Sequence, residues 1–331
     1  MDVVMYISKC GGAWHLISMK RSNKEREERM KKRSKSRVAR EQAEAANDAC
    51  LSKFKQRSLR IEVRKKNTAL MSAAHGNRET DAEMLNMYDN MYVAPTNYFD
   101  NVQNVLTPHN RSYAIDWLVQ VQGHFKLSNE SLFLAVNILD RLLAVHQTNH
   151  ASLQLACISS LMLAVKYEEV WPPSVSDYAW ICSDAYTARE ICDMERMILG
   201  RIDYRLTVPT VSSFLSILCK KYYGNETLLC LASYLCELTL LEYSFYTHKP
   251  LLVCAACILV ARVILGHTAW TKTLAKHSNC KQDQLRTIAA EVILMHRAAQ
   301  TSPFQSVREK YAKNRLRNVS AIKALPLRNT I

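Results

Sequence analysis

The sequence predicts an all-α protein of two tandem five-helix repeats, with one helix before them and basic, largely disordered tails. Only 7 of the 331 residues are Gly and 8 are Pro, and the prolines mark the breaks between long segments of helical periodicity. Period-two alternation is scarce, and Asn-Gly and Asp-Gly hairpin turns are missing, which disfavours β structure. Two strongly apolar segments lie 96 residues apart, which indicates the repeat.

Helical periodicity predicts the individual elements in order. Ser128 before Ser131, and Thr187 before Glu190, have the spacing of residues that begin a helix. Pro209 and Pro250 suit the first turn of a helix, where a missing N–H costs little. The predicted helices are a leading one near 81–92, a first set at 110–124, 129–146, 152–168, 174–182 and 187–201, and a second set at 209–223, 226–243, 250–266, 270–278 and 281–299.

The third helix of each set is apolar nearly all round and rich in Ala, Ser and Cys. All-round apolarity is typical of a helix that is buried on every side. Leu163–Lys166 in the first set aligns with Leu259–Arg262 in the second. Each repeat is therefore predicted to wrap around one central helix.

Charge is distributed unevenly along the chain. The formal net charge is +14, of which residues 20–67 contribute +11 and residues 302–331 contribute +6, whereas residues 68–301 sum to −3. A slightly acidic body with two basic tails is predicted. The predicted domains are a basic N-terminal region (1–80), a first repeat with its leading helix (81–205), a second repeat (206–301) and a basic C-terminal tail (302–331).

Several classes of function are disfavoured by the residues present. The seven glycines form neither G-x-G-x-x-G nor G-x-x-x-x-G-K-[ST], so glycine-rich phosphate loops are absent from the sequence. No nucleophile signature occurs, and the Glu168-Glu169 pair has no evident second wall for a substrate cleft. The most apolar uncharged run, 250–261, is shorter than a membrane-spanning helix needs. We expect neither an enzyme nor a cofactor.

Two spacings that resemble metal sites are better explained otherwise. Cys254 and Cys257 form the chain's C-x-x-C, but they lie inside a buried apolar helix with no second pair at ligand spacing, which favours core packing. His146 and His150 are four residues apart, but the helix ends between them, which favours a surface or capping role. No metal site is predicted.

Four charged residues lie on apolar helical faces: Arg111, Asp140, Lys166 and Glu195. A charge in such a place must be paired or must meet a partner, because burial of an unpaired charge costs several kcal/mol. One interpretation is a single internal ion network, and the other is that some of these residues face a partner protein. The two interpretations are compatible if Arg111 and Asp140 pair internally while Lys166 and Glu195 face outward.

At these residues the chain resembles the cyclin box of the mitotic A/B-type cyclins. The run from Arg111 to Val121 is similar to M-R-A-I-L-V-D-W-L-V-E-V, and Leu139-Asp140-Arg141 is similar to L-D-R. Lys166-Tyr167-Glu168-Glu169 with Pro172-Pro173 resembles K-[FY]-E-E-x-x-P-P, and the resemblance extends to Ser306-Val-Arg-Glu-Lys-Tyr311. It implies two cyclin folds and a non-catalytic subunit that binds and activates a cyclin-dependent serine/threonine kinase and controls G2/M progression.

The resemblance also implies roles for single residues. The positions that hold the kinase's mobile helix correspond to Lys166, Tyr167 and Glu195. The structural ion network of the cyclin box corresponds to Arg111, Asp140 and Leu155. The substrate-docking patch of the family corresponds to six positions, of which Trp117 and Gln154 match. Asn110, Ala114 and Gln120 replace Met, Leu and Glu, so weak docking of R-x-L peptides is expected. The six positions are Asn110, Ala114, Trp117, Gln120, Gln154 and Ile181.

The basic N-terminal region contains a short cluster that suits nuclear import: Lys31, Lys32, Arg33 and Lys35. It predicts residence in the nucleus as well as the cytoplasm, although a merely solvated tail fits the composition equally well. The alternative function is a cyclin-fold nucleic-acid or transcription-factor module. Such a module would carry its positive charge on the folded repeats, so the −3 of residues 68–301 makes nucleic acid an unlikely partner.

Overall fold

The computed structural model describes Leu85, residues 91–92, 97–222 and 225–326, without the side chains of 220–222. In these ranges the chain forms α-helices joined by short loops and 3₁₀ turns, with no strand. The α-helices are α1 (Tyr98–Asn101), α2 (Pro108–Phe125), α3 (Asn129–Val145), α4 (His150–Glu168), α5 (Val175–Ile181), α6 (Ala188–Arg201), α7 (Val211–Tyr222), α8 (Glu226–Thr239), α9 (Pro250–Ile264), α10 (Lys272–Ser278), α11 (Gln282–Ala298) and α12 (Ser306–Tyr311).

Each repeat packs around its third helix, as predicted. In the first repeat, α4 is buried from Leu153 to Val165 on almost every side and contacts α2, α3, α5 and α6. In the second, α9 is buried from Leu251 to Ala261 and contacts α7, α8 and α11. The Ala, Ser and Cys side chains on these helices let neighbouring helices approach closely, which explains why both central helices have the same composition.

The helix starts also follow the sequence pattern. Ser128 accepts a hydrogen bond from the Ser131 N–H, and Thr187 forms a capping box with Glu190. Pro250 occupies the first turn of α9, whereas Pro209 lies outside α7, which begins two residues later than predicted at Val211. Of the predicted leading helix 81–92, only Leu85, Met91 and Tyr92 are described.

The second helix of the second repeat is shorter than predicted, and side chains of the first repeat bind the carbonyls that follow its end. The helix α8 ends at Thr239, and a 3₁₀ turn follows at Tyr243–Thr247. The Arg111 guanidinium donates to the Leu240 carbonyl (2.8 Å), and the Ser112 hydroxyl donates to the Leu241 carbonyl (2.6 Å). The carbonyls of Leu240 and Leu241 thus receive donors from the first repeat, and these hydrogen bonds join the two repeats.

The expectation of a largely disordered basic C-terminal tail is wrong for residues 302–326. Ser306, Val307 and Tyr311 of α12 are buried, and α12 packs against α2 and α8. Glu237 on α8 is fully buried and pairs with Lys310, while the Tyr311 hydroxyl donates to the same carboxylate (2.9 Å). Buried contacts therefore fix this segment to the folded body, and they bring most of its positive charge with them.

A buried histidine in the second repeat predicts a stability that depends on pH. His296 on α11 is 2% exposed, and burial, with Arg308 nearby, lowers its pKa to about 4. The unfolded chain binds the proton near pH 6.5, so the stability due to neutral His296 is complete above that pH and is lost as the pH falls towards 4. Between these pH values we expect a loss of about 3 kcal/mol from this group.

Comparison of wild type with His296→Gln isolates this effect from the carboxyl groups that titrate in the same range. Urea unfolding at several pH values is expected to show a steeper decline for the wild type than for the variant. Parallel curves for the two proteins would contradict the assignment.

Candidate functional site

Two of the four charges singled out in the sequence form a surface ion pair. Lys166 lies in the last turn of α4 and Glu195 in the middle of α6. The ammonium of Lys166 lies 2.7 and 2.8 Å from the two carboxylate oxygens of Glu195. The Lys166 side chain is 42% exposed and that of Glu195 is 13% exposed. A pair at the surface adds little to stability, and the Lys166 ammonium is the more exposed of its two groups.

Exposed apolar side chains occur next to this pair in the chain, at and after the end of α4 and after α6. Tyr167 is half exposed, and its hydroxyl shares a 2.6 Å hydrogen bond with Thr207 in the segment that links the repeats. Val170 and Trp171, which follow α4, are 73% and 68% exposed, and Tyr204 in the linking segment is 72% exposed. Large apolar residues exposed together mark an interaction surface. We call Lys166, Tyr167, Trp171, Glu195 and Tyr204 the α4–α6 surface.

The α4–α6 surface has the chemistry to bind the end of a helix. The last carbonyls of a helix lack intrahelical donors, and its first N–H groups lack acceptors. A lysine ammonium can donate to the carbonyls, and a carboxylate can accept from an N–H group. The neighbouring rings can cover the apolar side of such a helix. The sequence predicted Lys166, Tyr167 and Glu195 as site residues. It did not predict Tyr204 of this surface, nor Thr207, which bonds to Tyr167.

The other two charges form a buried network between the repeats. Arg111 donates through Nε and Nη2 to the two oxygens of Asp140, at 2.6 and 2.7 Å, and both residues are about 3% exposed. The Tyr98 hydroxyl donates to the same carboxylate at 2.8 Å. Burial, together with Asp140, raises the pKa of Tyr98, which keeps this hydroxyl protonated. The four charges thus form two separate pairs, one internal and one at the surface.

Leu155 does not belong to this ion network, which corrects the grouping predicted from the sequence. It lies half-buried on α4, and an aliphatic side chain offers neither a charge nor a hydrogen bond. The third member of the network is instead Tyr98. Tyr98 is uncharged and lies in the four-residue helix α1, which is too short to show helical periodicity, so the sequence gives no signal for it.

The six docking-patch positions lie on three neighbouring helices but expose little surface. Helix α2 packs on α4, and the ring of His124 at the end of α2 lies against that of Trp180 on α5, with the ring centres 5.5 Å apart and the planes tilted by 35°. Asn110 accepts hydrogen bonds from the N–H and the hydroxyl of Thr107 as part of a capping box. By exposure, Asn110, Trp117 and Gln154 are buried, and Ala114, Gln120 and Ile181 are half-buried.

The C-terminal segment lies against α2 beside these positions. The Ser306 N–H and hydroxyl donate to the Asp116 carboxylate at 2.9 and 2.7 Å, and the Gln120 amide donates to the Ser306 hydroxyl oxygen at 2.8 Å. The ring of Phe304 lies against that of His109, with the ring centres 5.2 Å apart and the planes tilted by 47°. Gln120 is therefore already engaged within the chain. Asp116 lies in the motif quoted above, and its apolar neighbours are the signal that could have identified it.

The described residues hold no group of three or more His, Cys, Asp or Glu side chains arranged to bind a metal ion. Cys254 and Cys257 are fully buried free thiols in α9, consistent with core packing. His146 follows the last residue of α3 and His150 begins α4, so the two do not share a helix. Among the same residues, no helix combines the length and apolarity needed to cross a bilayer. The import candidates Lys31, Lys32, Arg33 and Lys35 lie outside the described residues.

Comparisons with known proteins identify the family. Residues 81–207 match the family described as "Cyclin, N-terminal domain", and residues 209–325 match "Cyclin, C-terminal domain". The G2/mitotic-specific cyclin S13-7 of Glycine max is 35% identical over 219 residues, covering 66% of this chain and 85% of that relative. The chain belongs to the cyclin family. The second cyclin match extends through residue 325, in agreement with the packed C-terminal segment.

Other similar cyclins are longer than the matched region. The G2/mitotic-specific cyclin-B of Marthasterias glacialis is 39% identical over 221 residues, which covers 66% of this chain and 57% of that protein. Cyclin-B2-3 of Arabidopsis thaliana is 35% identical over 225 residues, which covers 68% and 52%. The chain thus spans somewhat more than half the length of these curated relatives.

Solved structures agree with the fold. A viral cyclin from herpesvirus saimiri superposes with a TM-score of 0.58 at 23% identity, covering 65% of this chain and 97% of that one. A chain of the yeast RNA Pol II CTD kinase CTDK-1 complex gives a TM-score of 0.51 at 10% identity, covering 74% and 84%. At these identities the likeness shows that the tandem cyclin fold is shared.

Proposed function

We propose that this cyclin is a non-catalytic subunit that binds and activates a cyclin-dependent serine/threonine kinase at the G2/M stage of the cell cycle. The observation that carries the proposal is the α4–α6 surface, where an exposed ion pair and exposed aromatic rings match the end and the apolar side of a helix. The relatives named as G2/mitotic-specific cyclins, and the fold shared with a chain of a kinase complex, support the same conclusion.

Activation follows from a shift in the kinase population. An active protein kinase needs a glutamate on its mobile helix to pair with the lysine of the ATP site. A surface that binds this helix only in the paired position favours the active conformation by the difference in affinity between the two states. Lys166 and Glu195 would hold an end of that helix, and Tyr167 would cover its apolar side. The cyclin then needs no catalytic group of its own.

Lys166→Ala and Glu195→Ala test this assignment by co-purification with the kinase. Each variant is expected to weaken binding of the kinase by at least about tenfold, because a charge buried in the complex is left without its partner. Their free energy of unfolding is expected to stay within about 1 kcal/mol of wild type, since the pair is exposed in the free chain. Arg189→Ala, at a 91% exposed position on α6, is the matched control. Wild-type binding by both variants would show that the contact lies elsewhere.

Docking of R-x-L peptides is expected to be weak. The Asn110 side chain is already hydrogen-bonded in its capping box. Ala114 offers less apolar area than Leu. Gln120 is bonded to Ser306 and carries no charge to attract the arginine of the peptide. At about 25 cal/mol per Å², the lost apolar contact alone costs one or more kcal/mol of affinity. Titration of an R-x-L peptide onto the purified complex checks this, with a typical A-type cyclin complex measured in parallel. Equal affinities for the two complexes would contradict it.

We also propose residence in nucleus and cytoplasm, on the basis of the basic cluster at residues 31–35. Substitution of Lys32 and Arg33 by Ala in the full chain, tagged with a fluorescent protein, is expected to reduce its nuclear fraction. An unchanged distribution would identify the cluster as a solvated segment without an import role.

A further inference from the structure

The segment that links the two repeats turns through two consecutive left-handed residues. Asp203 has φ 53° and Tyr204 has φ 56°, a conformation that residues with a Cβ adopt only where their surroundings hold them there. The Tyr204 N–H donates to the Leu199 carbonyl (3.0 Å), and the Leu206 N–H donates to the Tyr204 carbonyl (3.1 Å). The outcome of this bend is that Tyr204 stands 72% exposed.

Arg141 on α3 holds both sides of the bend. Its Nη2 donates to the Ile202 carbonyl at 3.0 Å, and its Nη1 donates to the Arg205 carbonyl at 2.5 Å. Ile202 precedes the left-handed pair and Arg205 follows it. A planar guanidinium carries two donors at a fixed spacing, so one side chain fixes the two carbonyls relative to each other. A lysine ammonium places its three donors on one nitrogen and does not impose this fixed spacing.

Arg141, with its two hydrogen bonds to the bend, forms a clamp, and the backbone that carries Arg141 is itself fixed. Arg141 directly follows Asp140, whose carboxylate is held by Arg111 and Tyr98 in the buried network. At the other end of the linking segment, Thr207 shares a hydrogen bond with Tyr167. The linking segment is thus attached on one side to the buried network and on the other to the α4–α6 surface.

We propose that Arg141 is a positioning residue for the kinase-binding surface, which it serves by holding residues 202–205 in the bend that displays Tyr204. This proposal rests on the proposed function and deepens it. If the bend is populated only in part, the apparent affinity for the kinase falls by the fraction that remains competent. The loss of Arg141 therefore acts on kinase binding through Tyr204, without any contact between Arg141 and the kinase.

Hydrogen exchange in the free full chain tests the clamp without the kinase. In Arg141→Gln, the backbone amides of residues 204–206 are expected to exchange about tenfold faster than in wild type. Arg141→Lys is also expected to exchange faster than wild type, because the lysine donors share one nitrogen and fix the two carbonyls less firmly, whereas Arg189→Gln is expected to match wild type. Unchanged exchange in Arg141→Gln would overturn the proposal, and so would an increase spread evenly over all helices.

A double-mutant cycle tests whether the effect passes through Tyr204. Arg141→Gln is expected to weaken kinase binding about tenfold, and Arg141→Gln combined with Tyr204→Ala is expected to bind no more weakly than Tyr204→Ala alone. Additive losses would overturn the proposal. If the wild-type chain bound no kinase, the proposed function would fail and the kinase role of Arg141 with it. If the wild-type chain binds the kinase but Arg141→Gln leaves hydrogen exchange unchanged, the role of Arg141 is overturned and the proposed function stands.

Discussion

Replacement of Arg111 by Met is expected to lower the free energy of unfolding by about 3–5 kcal/mol. The substitution leaves the Asp140 carboxylate, about 3% exposed, without its two guanidinium donors, and it leaves the Leu240 carbonyl without the donor that joins the repeats. Desolvation of an uncompensated charge accounts for most of the loss. Urea unfolding at neutral pH measures it.

Two further variants show whether charge is the cause. Asp140→Asn introduced together with Arg111→Met removes the orphaned carboxylate, so the double variant is expected to be more stable than Arg111→Met alone. Arg196→Met removes an exposed arginine that pairs with Asp193, and it is expected to change stability by less than about 0.5 kcal/mol. A similar loss in Arg111→Met and Arg196→Met would contradict the role of the buried network.

The second large effect concerns the C-terminal segment. Lys310→Met removes the ammonium that pairs with fully buried Glu237 and is expected to cost about 3 kcal/mol. Burial raises the pKa of Glu237, and Lys310 and Tyr311 offset part of that rise, so loss of Lys310 also makes protonation of this carboxyl easier. The variant should therefore lose less stability at pH 5 than at pH 8.

The exposed Lys313, on the same segment, provides the control. Lys313→Met removes the same charge from the same segment but is expected to leave stability within about 0.5 kcal/mol of wild type. If Lys310→Met were as stable as Lys313→Met, the Lys310–Glu237 pair would contribute nothing to the attachment of the segment.

The sequence pattern predicted those features in which many residues agree. The central helices α4 and α9 were found because nearly every position is apolar, a signal that a single substitution cannot hide. Arg111 and Asp140 were found because a charge on an apolar face has few explanations. The same argument applies to Lys166 and Glu195, although it does not distinguish a pair at the surface from one in the core.

The features that were missed depend on single contacts between distant residues. The segment from residue 302 reads as a basic tail because its six-residue helix is too short for periodicity, and its attachment depends on Glu237 and Asp116, 73 and 190 residues away from their partners. Tyr204 was missed because nothing in the local sequence announces two left-handed residues. Tertiary hydrogen bonds, those of Arg141 above all, decide that conformation.

Activation of a kinase is the central claim, and a direct activity measurement tests it. A purified cyclin-dependent kinase is assayed on a histone-type substrate alone, with the wild-type chain, and with Lys166→Ala, Glu195→Ala or Arg189→Ala at the same concentration. The wild-type chain and Arg189→Ala are expected to raise the rate of phosphate transfer strongly above that of the kinase alone. For Lys166→Ala and Glu195→Ala, this increase in rate is expected to be smaller than that of wild type by a factor of at least about ten. Equal activation by Lys166→Ala, Glu195→Ala and wild type, or no activation by the wild-type chain, would contradict the account.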